Sequence, residues 1–159
     1  MPVRKIKILL VEDSPTVRML YKRTFMMKGF EVLEAETGKE AISKAFNEIP
    51  DVMCLDMMLP DCTGFAVLKE VRANPDTKHI PILVLTGLKN INDVQKAINL
   101  GANYYSVKGK DSPEKLVSMV YKLLERSHDE VSPEAPNESE DTQPDNQIGD
   151  DDIEFITNH

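Results

Sequence analysis

Five short apolar runs alternate along the chain with five segments whose apolar residues recur at helical spacing. The runs are nearly continuous in apolar residues, as in strands that are covered on both faces. The five predicted strands are residues 6–11, 30–34, 52–55, 80–85 and 104–107. Strands that alternate with helices form a mostly parallel sheet, because right-handed crossovers place a helix over each strand pair. The sequence therefore predicts an α/β fold with helices on both faces of one five-stranded sheet.

Helix start signals precede three of the five amphipathic segments. Ser14-Pro15 combines an N-cap residue with proline at the first helical position, and Ser112-Pro113 repeats this pair before the last segment. Thr37 and Glu40 have capping-box spacing ahead of the second segment. These signals predict where helices begin, but neither they nor the periodicity determine the order of the strands.

A sharp change in charge near residue 126 divides the chain. All 19 Lys and Arg lie at or before Arg126, whereas 11 of the 27 acidic residues follow it. Residues 127–159 have no hydrophobic period, so they cannot bury enough apolar surface to offset the entropy of ordering. The composition predicts one mildly basic domain over residues 1–126 and a disordered acidic tail over residues 127–159.

Two interpretations of this tail stay open. In the simpler one it is a solvated terminus. In the other, three aspartates at 150–152 and the apolar residues Ile153, Phe155 and Ile156 bind a basic surface, either of a partner or of the chain's own domain.

Composition disfavours several classes of protein. No window approaches the roughly 20 apolar residues that span a bilayer, and the start lacks a signal peptide, which favours a cytoplasmic protein with no membrane partner. Cys54 and Cys62 have no Cys or His neighbour at metal-site spacing, so we expect reduced thiols rather than a disulfide or a zinc site. Nucleic acid is not an expected partner, because the tail is acidic and the domain is only weakly basic.

Polar residues of three kinds follow four of the predicted strands directly. Glu12 and Asp13 follow the first strand, Asp56 the third, Thr86 the fourth and Lys108 the fifth. Ligands of open α/β sheets bind beyond the carboxyl ends of the strands. We therefore expect these side chains to form one site.

The residue types of this site suit phosphoryl transfer to a carboxylate. Three acids, Glu12, Asp13 and Asp56, repel one another by several kcal/mol unless a cation neutralises them, and all-oxygen ligation suits Mg²⁺. Asp56 would be the nucleophile, while Lys108 and Thr86 would donate to the charged equatorial oxygens of the phosphoryl group. Taken singly, these residues also have simpler explanations. Thr86 would end a strand, Lys108 would be solvated, and Glu12-Asp13 would be an acid pair at a helix N-terminus.

With these residues in place, the chain closely resembles the receiver domains of two-component response regulators. The resemblance covers residues 5–126. It rests on four motifs, which are Leu10-Val11-Glu12-Asp13-Ser14, Leu55-Asp56-Met57-Met58-Leu59-Pro60-Asp61-Cys62-Thr63-Gly64, Leu85-Thr86-Gly87, and Gly101-Ala102 ahead of Lys108. It implies a flavodoxin-like (βα)5 fold, a doubly wound parallel sheet with the strand order 2-1-3-4-5.

The resemblance also implies a role for each residue of the site. Asp56 would accept a phosphoryl group from a phosphohistidine of a histidine kinase or phosphotransfer protein. Glu12, Asp13 and Asp56 would hold Mg²⁺ together with the backbone carbonyl of Met58. Thr86 and Tyr105 would form a switch pair, in which the hydroxyl turns toward the phosphoryl group and the aromatic ring rotates inward.

One departure from the family pattern concerns the loop after the last strand. The family usually follows its lysine with proline, often in a cis peptide, whereas Gly109 and Lys110 follow Lys108. A non-proline cis bond costs about 3 kcal/mol. We therefore expect a trans peptide or a rearranged loop at Lys108.

The function predicted from these observations is that of a single-domain response regulator, with no enzymatic activity beyond its own phosphorylation and dephosphorylation. Its phosphorylation-dependent surface, formed by residues 91–100, Tyr104, Tyr105 and the last helix, would bind a downstream effector protein. It would be a monomer or a phosphorylation-dependent dimer. The alternatives are a scaffold that no longer accepts phosphate, and a small flavodoxin-like redox enzyme or an aspartyl phosphatase.

Overall fold

The structure, a computed structural model, describes residues 4–87 and 91–128. Within these ranges five strands alternate with five helices. They are β1 (Lys7–Val11), α1 (Pro15–Met27), β2 (Glu31–Ala35), α2 (Gly38–Glu48), β3 (Val52–Asp56), α3 (Gly64–Ala73), β4 (Ile82–Thr86), α4 (Ile91–Asn99), β5 (Tyr104–Val107) and α5 (Pro113–His128). No helix of this part of the chain has the length and apolar character needed to cross a membrane.

The five strands form one parallel sheet in the order β2-β1-β3-β4-β5, as the resemblance implied. Val11 pairs with Leu55, which places the end of β1 beside the end of β3. Asp56 pairs with Leu85 on β4, and Thr86 pairs with Val107 on β5. The polar residues that follow β1 and β5 and those that end β3 and β4 therefore meet at one edge of the sheet.

Both faces of the sheet are covered by helices, and alternate residues of each strand serve opposite layers. Leu9, Val11, Met53 and Leu55 pack in one layer with apolar side chains of α2, α3 and α4. Their neighbours Ile8, Leu10, Val52 and Cys54 pack in the other layer with α1 and α5. Every residue of β3 and of β4 is buried, which explains why these strands appear as uninterrupted apolar runs in the sequence.

All three predicted helix starts are confirmed. Ser14 caps α1 by accepting a hydrogen bond from the Val17 amide, and Thr37 caps α2 by accepting one from the Glu40 amide. Ser112 accepts a hydrogen bond from the Lys115 amide at the start of α5. In each case a side-chain oxygen pairs with an amide that has no partner within its own helix.

The predicted bounds of β1, β2 and β3 differ from the structure by no more than one residue, and two larger corrections concern β4 and α5. β4 begins at Ile82, so Pro81 precedes the strand instead of lying within it. α5 continues to His128, so the predicted tail was wrong for residues 127 and 128. The first proline after the last turn of α5 is Pro133, so neither Ser127 nor His128 is a residue that breaks a helix. The rest of the predicted tail, residues 129–159, lies outside the described residues.

Both cysteines are free thiols, as expected from the sequence. Cys54 lies within β3, where burial raises the pKa of its thiol to about 12. A thiol with so high a pKa is protonated at neutral pH and serves as a small apolar side chain of the core.

Candidate functional site

Three carboxylates converge where β1 and β3 end. Glu12, Asp13 and Asp56 each place an oxygen so that all three atoms lie within 4.8 Å of one another. Glu12 and Asp56 are buried, with 0% and 3% of their surfaces exposed, whereas Asp13 is exposed. The cluster thus has a buried floor and one acid at its solvent side.

Backbone and side-chain contacts fix the two buried acids. The Glu12 amide donates to the carbonyl of Ala35, and Glu12 Oε2 accepts a hydrogen bond of 3.1 Å from the Ser14 amide. Asp56 Oδ1 accepts one of 3.1 Å from the Met58 amide. Each carboxylate therefore has one oxygen bound to the backbone and the other turned toward the centre of the cluster.

Lys108 supplies the positive charge of the site. Its Nζ lies 2.9 Å from Glu12 Oε1 and 3.0 Å from Asp56 Oδ2, to which it donates a hydrogen bond. The Lys108 amide donates to the Thr86 carbonyl, which places the side chain beside the end of β4. One ammonium faces three carboxylates, so the cluster keeps a net negative charge when all four groups are ionised.

The environment shifts the ionisation of these groups in directions that follow from burial and pairing. Burial raises the pKa of Glu12, against the opposing effect of the Lys108 ammonium. Burial by itself lowers the pKa of Lys108, but its contacts with Glu12 and Asp56 outweigh burial and raise that pKa overall. Lys108 therefore stays charged at neutral pH.

The donor set fits a hard divalent cation. Glu12 Oε1 is buried and lies within ion-pair distance of Lys108, yet it accepts no hydrogen bond of good geometry from the described part of the chain. A carboxylate oxygen has more than one acceptor site, so Glu12 Oε1 can bind a cation while it stays beside Lys108. Three carboxylate oxygens, one of them open to water, match the oxygen-only ligation with retained water that Mg²⁺ prefers.

Met58 lies at the mouth of this cluster, and its side chain is exposed. It forms an isolated antiparallel bridge with Thr63. The two hydrogen bonds that close the bridge run from Gly64 to the carbonyl of Met57 and from Leu59 to the carbonyl of Cys62. The bridge thus leaves the Met58 carbonyl unused, as the predicted role of metal ligand requires, and that role stays a prediction.

Thr86 and Tyr105, the predicted switch pair, lie on neighbouring strands. Thr86 is buried at the end of β4, and Tyr105 on β5 pairs with Val84, two residues before Thr86. Because paired residues and residues two apart share one face, Thr86, Val84 and Tyr105 lie on the same face of the sheet. Tyr105 is partly buried against the layer that contains α4. The coupled motion of Thr86 and Tyr105 stays a prediction.

The loop after Lys108 begins with Gly109, at the position where the family usually has proline, and it also contains Asp111. No peptide bond within the described residues is cis, so the prediction of a trans peptide is confirmed. Gly109 adopts a φ of 83°, which glycine reaches without steric cost. The amides of Lys110 and Asp111 both donate to the Val107 carbonyl and close a tight turn.

Asp111 holds this turn against β5, a role that the sequence analysis missed. Its Oδ2 accepts hydrogen bonds of 2.9 Å from the Val107 amide and 3.1 Å from the hydroxyl of buried Ser106. Both donors lie within two residues of Lys108. The only sequence signal was an acid directly before the Ser112-Pro113 helix start.

Asp111→Ala is expected to lower the free energy of unfolding by about 1–3 kcal/mol, because a buried hydroxyl and a backbone amide lose their charged acceptor. Urea unfolding of the full chain measures the change. Asp76→Ala, at an exposed acid in the loop after α3, is the matched control and should change stability by less than about 0.5 kcal/mol. Equal unfolding midpoints for the two variants would contradict the role given to Asp111.

Comparisons with known proteins agree with this geometry. The family model described as "Response regulator receiver domain" matches residues 8–121. The chain is 33% identical over 125 residues to the "Phosphate regulon transcriptional regulatory protein PhoB" of Rhizobium meliloti, covering 79% of this chain and 55% of that protein. It is 35% identical over 124 residues to the "Probable transcriptional regulator ycf27" of Guillardia theta, covering 78% of this chain and 47% of that protein.

A solved structure gives the same result. The chemotaxis response regulator CheY4 of Vibrio cholerae superposes with a TM-score of 0.71 at 33% identity, covering 76% of this chain and 99% of that one. This chain belongs to the response regulator receiver domain family of two-component signalling. It spans about half the length of these two transcriptional regulators, so the prediction that the receiver acts as a single domain stays a prediction.

Every site residue predicted from the sequence lies at the expected edge of the sheet, with the exception of Tyr105, which lies two residues before the carboxyl end of β5. Glu12, Asp13, Asp56 and Lys108 form one cluster of contacts, and Thr86 ends the strand beside it. Receiver domains partner with histidine kinases and bind Mg²⁺ at an acidic pocket, and Glu12, Asp13 and Asp56 form an acidic cluster in this chain.

Proposed function

We propose that Asp56 accepts a phosphoryl group from the phosphohistidine of a histidine kinase or phosphotransfer protein, in a reaction that depends on Mg²⁺. The observation that supports this most is the buried Asp56 carboxylate, which is held at one oxygen by the Met58 amide and at the other by Lys108. A carboxylate fixed in this way has lost the freedom that would slow its attack on phosphorus.

The transfer forms a bond between an Asp56 oxygen and phosphorus and breaks the bond between phosphorus and the donor's imidazole nitrogen. The imidazole leaves with the electron pair of that bond and takes a proton from solvent. Lys108 moves its hydrogen bond from the carboxylate to a phosphoryl oxygen, and Thr86 offers its hydroxyl from the end of β4. Mg²⁺ held by Glu12, Asp13, Asp56 and the Met58 carbonyl would offset the negative charge of the acids and of the phosphoryl group.

The output of the phosphorylated receiver would be a change in the surface formed by α4, β5 and α5. Thr86 and Tyr105 share the sheet face that α4 covers, so a turn of the Thr86 hydroxyl toward the phosphoryl group would leave space for the Tyr105 ring. The phosphoryl group thereby stabilises one of two existing conformations. A downstream effector protein would bind that conformation, with the receiver as a monomer or a phosphorylation-dependent dimer. Its location in the cytoplasm stays a prediction.

A second candidate function is control of transcription, which the names of two relatives suggest. Those proteins are about twice as long as the region that they share with this chain. A phosphorylated chain that shifts a DNA fragment in a gel would favour this candidate, whereas capture of an effector protein alone favours output through protein contacts.

The proposed function is tested by incubating the full chain with acetyl phosphate and Mg²⁺ and measuring the intact mass. We expect the mass of one phosphoryl group to appear with Mg²⁺ and not when a chelator removes it. A sizing column run on the same samples reports whether phosphorylation produces a dimer. If no phosphoryl group is gained with Mg²⁺ present, the chain is the phosphorylation-independent scaffold, and turnover of a phosphomonoester would instead favour an enzyme.

A further inference from the structure

The outer surface of α1 carries an unusual concentration of exposed apolar side chains. Met19, Leu20, Met26 and Met27 are 56%, 51%, 54% and 83% exposed. On a helix, Met19 and Met26 lie in one row with Arg23, and Leu20 and Met27 lie in the adjacent row. These four side chains, each more than half exposed, lie on one face of α1 around Arg23, and this face is named here the α1 patch. Isolated exposed apolar residues are ordinary, but a contiguous group marks a binding surface.

The charges of α1 are one-sided. The helix contains no acidic residue, and its C-cap is Lys28. Arg18 and Lys22, on the side that faces β2, are paired with Glu34. Arg23 and Lys28 are exposed and make no ion pair within the part of the chain that the structure describes. The α1 patch therefore presents thioether and aliphatic groups next to two unpaired cations.

One stretch of the acidic C-terminal segment has the complementary composition. Residues 150–156 read Asp-Asp-Asp-Ile-Glu-Phe-Ile, which is four acids and three large apolar residues within seven positions. Phe155 is the only aromatic residue between residues 129 and 159. Acids match the cations of the α1 patch, and the aliphatic and aromatic side chains match its methionines, which adapt their shape to aromatic partners.

The last described element before this segment, α5, ends near the α1 patch. α1 and α5 pack on the same face of the sheet, and both run from its carboxyl edge toward its amino edge. The Tyr121 ring of α5 lies 5.5 Å from the Phe30 ring, and Phe30 follows Met27 by three residues. Hence α5 ends at the same end of the domain as Met26 and Met27.

The length of the connection suffices for an intramolecular contact. Residues 129–152, between the end of α5 and Ile153, number 24. A coil of that length has a root-mean-square end-to-end distance of roughly 25–30 Å, while a 13-residue helix such as α1 is about 20 Å long. A tethered segment at such a distance reaches an effective concentration on the order of 1 mM.

We propose that residues 150–156 bind the α1 patch of their own chain, with Ile153, Phe155 and Ile156 against the methionines and the acids beside Arg23 and Lys28. This contact does not depend on phosphorylation. When residues 150–156 are bound, they cover the α1 patch. Because the tether supplies the high local concentration, a weak interaction is sufficient to keep the surface mostly covered.

The test is oxidation of methionine by hydrogen peroxide, followed residue by residue with mass spectrometry on the full chain. Met58, 67% exposed in the loop after β3, is an internal reference away from α1, and buried Met53 reports whether the domain stays folded. We expect Met26 and Met27 to be oxidised about threefold more slowly than in the variant Ile153→Ser/Phe155→Ser/Ile156→Ser, as for a segment at roughly 1 mM that binds with a Kd of about 0.5 mM. The rate for Met58 should be the same in both proteins.

The control Val131→Ser/Ile148→Ser removes apolar residues elsewhere in the same segment and should oxidise like the wild type. Salt at about 1 M, where the Debye length is ~3 Å, should speed the oxidation of Met26 and Met27 in the wild type but not in the triple variant. Equal oxidation rates for these methionines in the wild type and the triple variant would overturn the proposal. So would protection that rises with protein concentration, because the occupant would then be a second copy of the chain.

Discussion

Asp56→Asn is expected to abolish phosphoryl incorporation from acetyl phosphate, with an initial rate at least about 10³-fold below that of the wild type, or about 4 kcal/mol in activation free energy. The amide has the shape of the carboxylate, so its oxygen can still accept the hydrogen bond from the Met58 amide. It lacks the negative charge that attacks phosphorus and that pairs with Lys108 at 3.0 Å. The intact mass after timed incubation measures the loss.

Asp76→Asn is the matched control, because Asp76 is an exposed acid in the loop after α3, and this variant should gain the phosphoryl group at the rate of the wild type. Urea unfolding shows whether Asp56→Asn remains folded. If Asp56→Asn were phosphorylated at an unchanged rate, another carboxylate would be the acceptor. Peptide mapping would then identify it, with exposed Asp13 of the same cluster as the first candidate.

Gly64→Ala is expected to destabilise the domain by about 3 kcal/mol, the upper part of the usual range for overpacking. A Cβ at Gly64 would lie 2.8 Å from the Met57 Cα and 2.9 Å from the Asp56 carbonyl oxygen. These are backbone atoms of the strand end that carries the acceptor, so they cannot rotate away as a flexible side chain does. Urea unfolding measures the loss of stability, and slower phosphoryl incorporation should accompany it because Asp56 must shift.

Gly87→Ala supplies the comparison. No described heavy atom outside its neighbours lies within 4 Å of a Cβ built at Gly87, so the change in stability should stay within about 0.5 kcal/mol. If Gly64→Ala unfolded at the same urea concentration as Gly87→Ala, the close approach of α3 to the end of β3 would not be a constraint on this fold.

The elements and the residue types of the site were predictable because they depend on local patterns. A buried strand requires a short apolar run, and the caps at Ser14, Thr37 and Ser112 require an oxygen at the right distance in sequence. The errors were also local. Pro81 was placed inside β4. The tail was begun two residues early, because the charge changes at Arg126 while α5 continues to His128.

Contacts between distant residues could not be obtained from these patterns. The crowded position of Gly64 against Asp56 and Met57 exists only once α3 has packed at the end of β3. Asp111 looked like an ordinary acid before a helix, yet in the structure its carboxylate holds the strand end that precedes Lys108. No periodicity or motif in the sequence marks the role of Gly64 or of Asp111, because each role depends on where a turn places a single atom of that residue.

By itself, the sequence determined the alternation of strands and helices, the caps, and a set of acids, a hydroxyl and an ammonium at strand ends. The sequence also predicted that these groups form one site, but the tertiary structure decided their distances, because the packing of the ends of β1, β3 and β5 brings Lys108 within 3.0 Å of Asp56. The tertiary structure also decided that the methionines of α1 face outward. The physical reason is that hydrophobic periodicity and capping act over a few residues, whereas charge clustering and surface exposure depend on which elements pack together.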